Sequence, residues 1–127
     1  MAIATIGNPS YLALRTFRKS GVAVDTPVWV AADGGCLYVY TAGTSGKAKR
    51  IRNSGAVAVC VSDMRGKPKG EWVSAQARVL DAPADVERGL ALLKRKYGIQ
   101  YRLATMFDRS RAETVILEIS DPALPRS

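Results

Sequence analysis

Residues 11–42, YLALRTFRKSGVAVDTPVWVAADGGCLYVYTA, contain the pattern that decides the fold class. Apolar and polar side chains alternate through most of this stretch, as they do in half-buried strands. Turn signals that contain glycine divide it, and Asp33-Gly34-Gly35 is typical of a tight hairpin. The strands predicted here are 11–18, 22–33 and 36–42. The first third of the chain is therefore predicted to form three antiparallel strands joined by short turns.

The remainder of the chain adds further strands and one long helix. The additional strands are predicted at 56–63, 71–81 and 114–120. The helix begins near Pro83 and ends at Gly98, because apolar residues recur between them at helical spacing. A weaker helical segment is predicted at about 101–108. Six strands with one long helix before the last favour a mainly β protein built as a small barrel-like sheet, and a two-layer α+β sandwich is the alternative.

The composition is that of one globular domain with an excess of positive charge. The chain has 127 residues, 47% hydrophobic and 24% charged, with a formal net charge of +8. We expect a single domain over 1–127, with 1–10 as an N-terminal segment and 121–127 as a proline-rich tail. Such a charge favours anionic partners, namely a phosphorylated cofactor, nucleic acid or an anionic membrane surface. Neither a membrane span nor a secretory signal is recognised, so a cytoplasmic protein is expected.

The sequence offers no conventional catalytic group. It contains no histidine, which is the commonest general base and metal ligand, and no Walker loop or metal-ligand cluster. Its two cysteines, Cys36 and Cys60, lie in strand-like segments and are expected to be buried free thiols. We therefore predict no catalytic side chain and no metal site, and we expect any chemistry to come from a bound molecule.

A basic cluster follows the third predicted strand. The stretch TSGKAKRIRNSG (44–55) places Lys47, Lys49, Arg50 and Arg52 within six residues, without an acidic neighbour. A short helix is predicted here, capped by Thr44 or Ser45 and ended by Gly55. Cationic side chains, free backbone N–H groups and the helix dipole together suit a phosphate group. A solvated basic face is the alternative interpretation.

A second candidate site lies within the second predicted strand. Pro27 cannot donate to a strand ladder, so it must lie at an edge, at a bulge or beside a cofactor. Together with Thr26, Val28 and Trp29 it could form the flat apolar wall that a heteroaromatic ring requires. Core packing of Val28 and Trp29 is the alternative. Tyr38 and Tyr40 share a face of the third strand, where packing or interface roles are expected.

The order of these motifs resembles one known family. The segments TPVW (26–29) and GKAKRIRN (46–53), with a strand and a helix ending in LLKRKYG (92–98), are similar to the split-barrel flavin and deazaflavin oxidoreductases. This group is related to pyridoxamine 5′-phosphate oxidase. Within the group, the chain resembles the class called F420-dependent. The similarity extends from about residue 11 to residue 120.

The resemblance implies a six-stranded antiparallel split β-barrel that forms a homodimer, with the ring of coenzyme F420 or FMN in a groove between the subunits. It implies that Lys47 binds the phosphate tail and that no protein acid–base group takes part in hydride transfer. The cofactor-binding residues that it implies are Thr26, Pro27, Val28 and Trp29 beside the ring, and Thr44, Ser45, Gly46, Lys47, Lys49 and Arg50 beside the tail. Gly55 is a departure, because relatives tend to have proline there.

The function predicted from these features is hydride transfer from reduced F420 to a small organic acceptor. FMN is the alternative cofactor, and a non-catalytic cofactor-binding protein is a further alternative. A barrel that binds single-stranded nucleic acid is less favoured, because the basic helix contains no aromatic residue on which a base could stack.

Overall fold

The computed structural model describes residues 3–98 and 114–122. The weaker helix predicted at 101–108 lies outside these residues. The elements, in chain order, are a 3-10 helix Ile3–Thr5, β1 Leu12–Phe17, β2 Ala23–Val28, β3 Ala31–Asp33, β4 Cys36–Ala42, α1 Gly46–Asn53, β5 Ala56–Val61, β6 Val73–Leu80, α2 Pro83–Tyr97 and β7 Thr114–Ser120. Neither α-helix has both the length and the apolar character of a membrane span within the described part of the chain.

The seven strands formed by the described residues belong to one antiparallel sheet with the order β2-β1-β5-β6-β7-β4-β3. The consecutive strands β2 and β3 therefore lie at opposite edges of this sheet. Val28 ends the first of them and Ala31 begins the second, so at most about 11 Å of chain separates the two edges. A flat sheet of seven strands would be about 29 Å wide. The sheet must therefore curl until its edges approach each other, which produces the predicted barrel-like architecture.

The number of strands differs from the prediction, because the single strand predicted at 22–33 is divided in two. The division occurs at Trp29 and Val30, where the long helix supplies the hydrogen bonds that a strand partner would otherwise provide. The Val30 N–H donates to the Tyr97 hydroxyl at 2.9 Å, and the Val30 carbonyl accepts from the Lys96 ammonium at 2.5 Å. Pro27 lies on the edge strand β2, as its missing N–H requires.

The hairpin predicted at Asp33-Gly34-Gly35 is confirmed. Asp33 pairs with Cys36, and the two glycines between them have φ angles of 57° and 83°. A two-residue turn with both central φ angles positive matches the right-handed twist of the strands that it joins. Both cysteines are free thiols, as predicted, although Cys36 is only half-buried whereas Cys60 is buried.

The core lies inside the curled sheet and is closed at one side by α1. Leu12 and Leu14 on β1 are fully buried, and Ile51 anchors α1 against the same cluster. Helix α2 packs outside the sheet, against β3, β4 and β7. Its Gly89 lies so close to β7 that an added Cβ would be 2.6 Å from the Ile116 side chain. The two helices therefore cover different parts of the sheet.

Candidate functional site

Helix α1 begins after Ser45, which is the N-cap and was one of the two residues predicted for that role. Its Oγ accepts a hydrogen bond from the Ala48 N–H at 3.2 Å and another from the Thr41 hydroxyl at 3.0 Å. The predicted end at Gly55 is wrong by two residues, because the helix ends at Asn53. Gly55 instead allows close approach to β6, since a Cβ there would lie 2.8 Å from the Ala77 carbonyl oxygen.

The structure brings the two predicted motifs together in one groove, which we call the Lys47 groove. Its volume is about 390 Å³. It is lined by Pro27, Val28, Trp29, Tyr40, Thr41, Ala42 and Lys47. The cation at one end comes from the first turn of α1, and the apolar wall comes from the end of β2. Residues that are 18 positions apart in the sequence, Trp29 and Lys47, therefore face the same space.

Lys47 is electrostatically unsatisfied within the described part of the chain. Its side chain is half-buried, and it forms neither an ion pair nor a hydrogen bond with any described residue. Burial lowers the pKa of Lys47 below its ordinary value, and the positive charge of Arg50 lowers it further. An anion in the groove would oppose both effects, because it stabilises the charged form of the ammonium.

The aromatic wall of the groove is held from behind by α2. The Trp29 ring stacks on the Tyr97 ring, with centroids 4.5 Å apart and planes 10° apart. The Tyr97 hydroxyl in turn donates to the Ser10 carbonyl at 2.7 Å while it accepts from Val30. Trp29 is therefore half-buried: it packs against Tyr97 and also lines the groove. Both interpretations of the sequence, core packing and a wall for a ring, apply to this residue.

The wall continues beyond Trp29 into a smaller cavity of about 260 Å³. Tyr11 and Met64 join Pro27, Val28 and Trp29 in lining it. The loop that follows Met64 is close to this wall, since a Cβ at Gly66 would lie 3.3 Å from the Pro27 ring. One apolar surface therefore runs from the Lys47 end of the groove to the 64–70 loop.

The remaining predicted site residues do not line the Lys47 groove. Thr26 is half-buried and pairs with Leu14, and Thr44 is exposed. Ser45 serves as the helix cap. Gly46 leaves space for the Arg50 guanidinium, because a Cβ added at Gly46 would lie 2.6 Å from it. Lys49 and Arg50 line a different groove, described below. The structure thus places Pro27, Val28, Trp29 and Lys47 along one groove, whereas the other six predicted residues are not part of its lining.

Three lining residues, Tyr40, Thr41 and Ala42, were missed as site residues by the sequence interpretation. Tyr40 was expected only to pack or to lie in an interface, but it is half-buried and lines the groove. These residues end β4 immediately before the capped loop of α1. Their position next to a predicted phosphate-type turn is the signal that could have identified them.

Arg50 lines a second groove and not the Lys47 groove. Its Nε donates to the hydroxyl of the buried Thr16 at 2.6 Å, which fixes the guanidinium against β1. The second groove, which we call the Lys49 groove, has a volume of about 400 Å³. It is lined by Phe17, Arg18, Lys19, Lys49, Arg50 and Asn53. Arg52 points elsewhere and donates to the Gly43 carbonyl at 2.6 Å.

Comparison with solved structures identifies the fold. The chain is similar to the conserved hypothetical protein Rv2991 of Mycobacterium tuberculosis, with a TM-score of 0.67 and 19% identity over 98% of this chain and 89% of that one. A protein described as an F420 reductase gives a TM-score of 0.60 and 19% identity, covering 94% of this chain and 92% of that one. A putative pyridoxamine 5′-phosphate oxidase of Listeria innocua gives 0.64 and 13%, covering 95% and 90%.

No protein-family model matches the chain, and no curated protein sequence matches it. The structural likenesses nevertheless confirm the fold that the resemblance implied, and at these identities they show the fold alone. The chain has the split-barrel fold of these proteins, with seven described strands where six were predicted.

Proposed function

We propose that the protein binds a flavin-type cofactor, coenzyme F420, and transfers a hydride from the reduced cofactor to a small organic acceptor. The observation that supports this most directly is the Lys47 groove, where a cation without a counter-ion among the described residues shares a space of about 390 Å³ with an aromatic wall. The structural likeness to an F420 reductase is in agreement with it.

The groove fits the two chemically different parts of such a cofactor. The phosphate of the tail would lie at Lys47, whose ammonium has no counter-ion among the described residues. The flat ring system would lie along Pro27, Val28 and Trp29, since aromatic and proline rings offer apolar planes. The cofactor supplies the hydride when it is bound.

The residues of the chain act by holding and orienting the reactants. Trp29, stacked on Tyr97, provides a wall that cannot rotate freely. Lys47 fixes one end of the bound molecule, so the position of its ring along the wall is determined. Holding two reactants side by side in the groove can lower the barrier, by about 7–11 kcal/mol in favourable cases.

FMN is the alternative cofactor, because the structural neighbours also include a putative pyridoxamine 5′-phosphate oxidase. A protein that binds the cofactor without turning it over is the second alternative. We further propose that the protein forms a homodimer with the groove at the subunit interface. We also propose that it is located in the cytoplasm. Solution mass by light scattering tests the dimer.

The cofactor proposal is tested by titrating the purified protein separately with F420 and with FMN while following cofactor fluorescence. Binding of F420 that weakens in Lys47→Ala supports the proposal, and oxidation of reduced F420 by an acceptor then distinguishes an enzyme from a carrier. Tight binding of FMN without any response to F420 would assign the alternative cofactor. Failure of both to bind would remove the proposed function.

A further inference from the structure

We propose that the Lys49 groove is a second anion-binding site, which takes a small polyanion with two or more linked phosphate groups. The fold assembles this site from two segments that are about 30 residues apart. Phe17, Arg18 and Lys19 come from the end of β1 and the turn after it, whereas Lys49, Arg50 and Asn53 come from the outer face of α1. Four cationic side chains thus line an open groove of about 400 Å³.

The positive charge of this groove is not neutralised within the described part of the chain. The three ion pairs found there involve Arg15, Arg78 and Arg88, and none of them involves a lining residue. Like charges that line one groove repel one another even in water, where a pair 4 Å apart would repel by about 1 kcal/mol and a wider pair by less. A single phosphate would relieve part of this repulsion, and a chain of phosphates would relieve more of it.

One of the four cations is held in place before any ligand arrives. The Nε of Arg50 donates to Thr16, so its guanidinium keeps its orientation and its terminal nitrogens remain without a partner among the described residues. Such a fixed planar donor suits phosphate oxygens, which it can bind through two parallel hydrogen bonds. Asn53 adds an amide donor to the lining, and the half-buried Phe17 adds an apolar surface.

The site is separate from the Lys47 groove, because the two linings have no residue in common. The Lys47 groove joins one cation to an aromatic wall, which suits a molecule with one phosphate and a ring. The Lys49 groove joins four cations, which suits several adjacent charges. Both an inorganic polyphosphate and the phosphate chain of a nucleotide have this chemistry.

The test is calorimetric titration of the purified protein with sodium tripolyphosphate at fixed ionic strength and without divalent metal. Lys49→Gln should weaken binding about three- to fivefold, the effect of one exposed ion-pair contact. Lys19→Gln combined with Lys49→Gln should weaken it about tenfold or more. The control is Lys67→Gln combined with Lys69→Gln, which removes an equal number of positive charges from an exposed loop.

An equal loss of affinity in the two double variants would overturn the proposal, because net charge alone would then explain binding. No measurable binding of tripolyphosphate to the wild-type protein would overturn it too. ATP serves as the second probe. Affinity for ATP equal to that for tripolyphosphate identifies the phosphate chain as the whole ligand, whereas tighter binding of ATP that is lost in Phe17→Ala identifies a nucleotide.

Discussion

The indole of Trp29 lies parallel to the phenol ring of Tyr97, with 4.5 Å between the ring centroids. This contact joins the wall of the Lys47 groove to the last turn of α2, which is 68 residues away in the sequence. Because the Tyr97 hydroxyl also binds the backbone of Val30 and Ser10, one side chain fixes both the wall and the break between β2 and β3. Tyr97 is therefore a positioning residue for the groove.

Tyr97→Phe is expected to keep the stacked ring but to leave the buried Val30 N–H without its partner. Stability should fall by about 1–3 kcal/mol, the usual penalty for an unsatisfied buried group. Tyr97→Leu should lose the stacking as well, and this loss is measured by the near-ultraviolet circular dichroism of Trp29 in a Trp72→Phe background. A Trp29 signal that is unchanged in Tyr97→Leu would contradict the positioning role.

Lys47→Ala is expected to weaken binding of a phosphate-bearing cofactor by about 1–3 kcal/mol, the scale of a charge-assisted hydrogen bond. Stability should barely change, because Lys47 has no partner among the described residues and lies close to the like charge of Arg50. Fluorescence titration measures the affinity, and Lys67→Ala is the control for net charge. Equal affinity in Lys47→Ala and wild type would place the phosphate elsewhere.

The pKa of Lys47 predicts how this binding depends on pH. Since burial and Arg50 lower that pKa, the ammonium loses its proton below the ordinary lysine value of 10.5. Affinity for the phosphate group should therefore decrease as the pH rises towards 10, and binding at that pH should be accompanied by proton uptake. Lys47→Arg keeps its charge throughout this range, so the ratio of wild-type to variant affinity removes any titration of the ligand. A constant ratio from pH 7 to 10 would contradict the lowered pKa.

Local patterns were sufficient to predict most elements of the fold. Alternation identified β1 and β4, the Asp33-Gly34-Gly35 turn identified the hairpin, and the cap of α1 was narrowed to Thr44 or Ser45, of which Ser45 fills the role. The division between β2 and β3 could not be predicted in this way, because it depends on the hydroxyl of Tyr97 and the ammonium of Lys96. A contact between segments so distant in sequence leaves no mark on the local apolar pattern.

The candidate groove was predicted only in part, because its lining also depends on contacts between segments that are distant in sequence. Lys47 and Lys49 are only two positions apart in sequence, but a helix turns by about 100° per residue, so their side chains lie about 200° apart around the axis of α1. Lys47 consequently faces Trp29, whereas Lys49 faces Arg18 and Lys19. Which of these residues share a groove depends on the strands beside α1, and this arrangement appears only when the sheet is assembled.

The contact between α2 and β7 gives the final prediction. A Cβ at Gly89 would lie 2.6 Å from both Cδ1 and Cγ1 of Ile116, which is fully buried. Gly89→Ala should therefore destabilise the protein by up to about 2 kcal/mol, because overpacking costs about 1–3 kcal/mol and the gain in helix propensity offsets only about 1 kcal/mol of it. Urea unfolding measures the change. In an Ile116→Ala background the clashing side-chain atoms are absent, so Gly89→Ala should become neutral or stabilising. If Gly89→Ala instead stabilises the protein with Ile116 present, α2 does not approach β7 as closely as described.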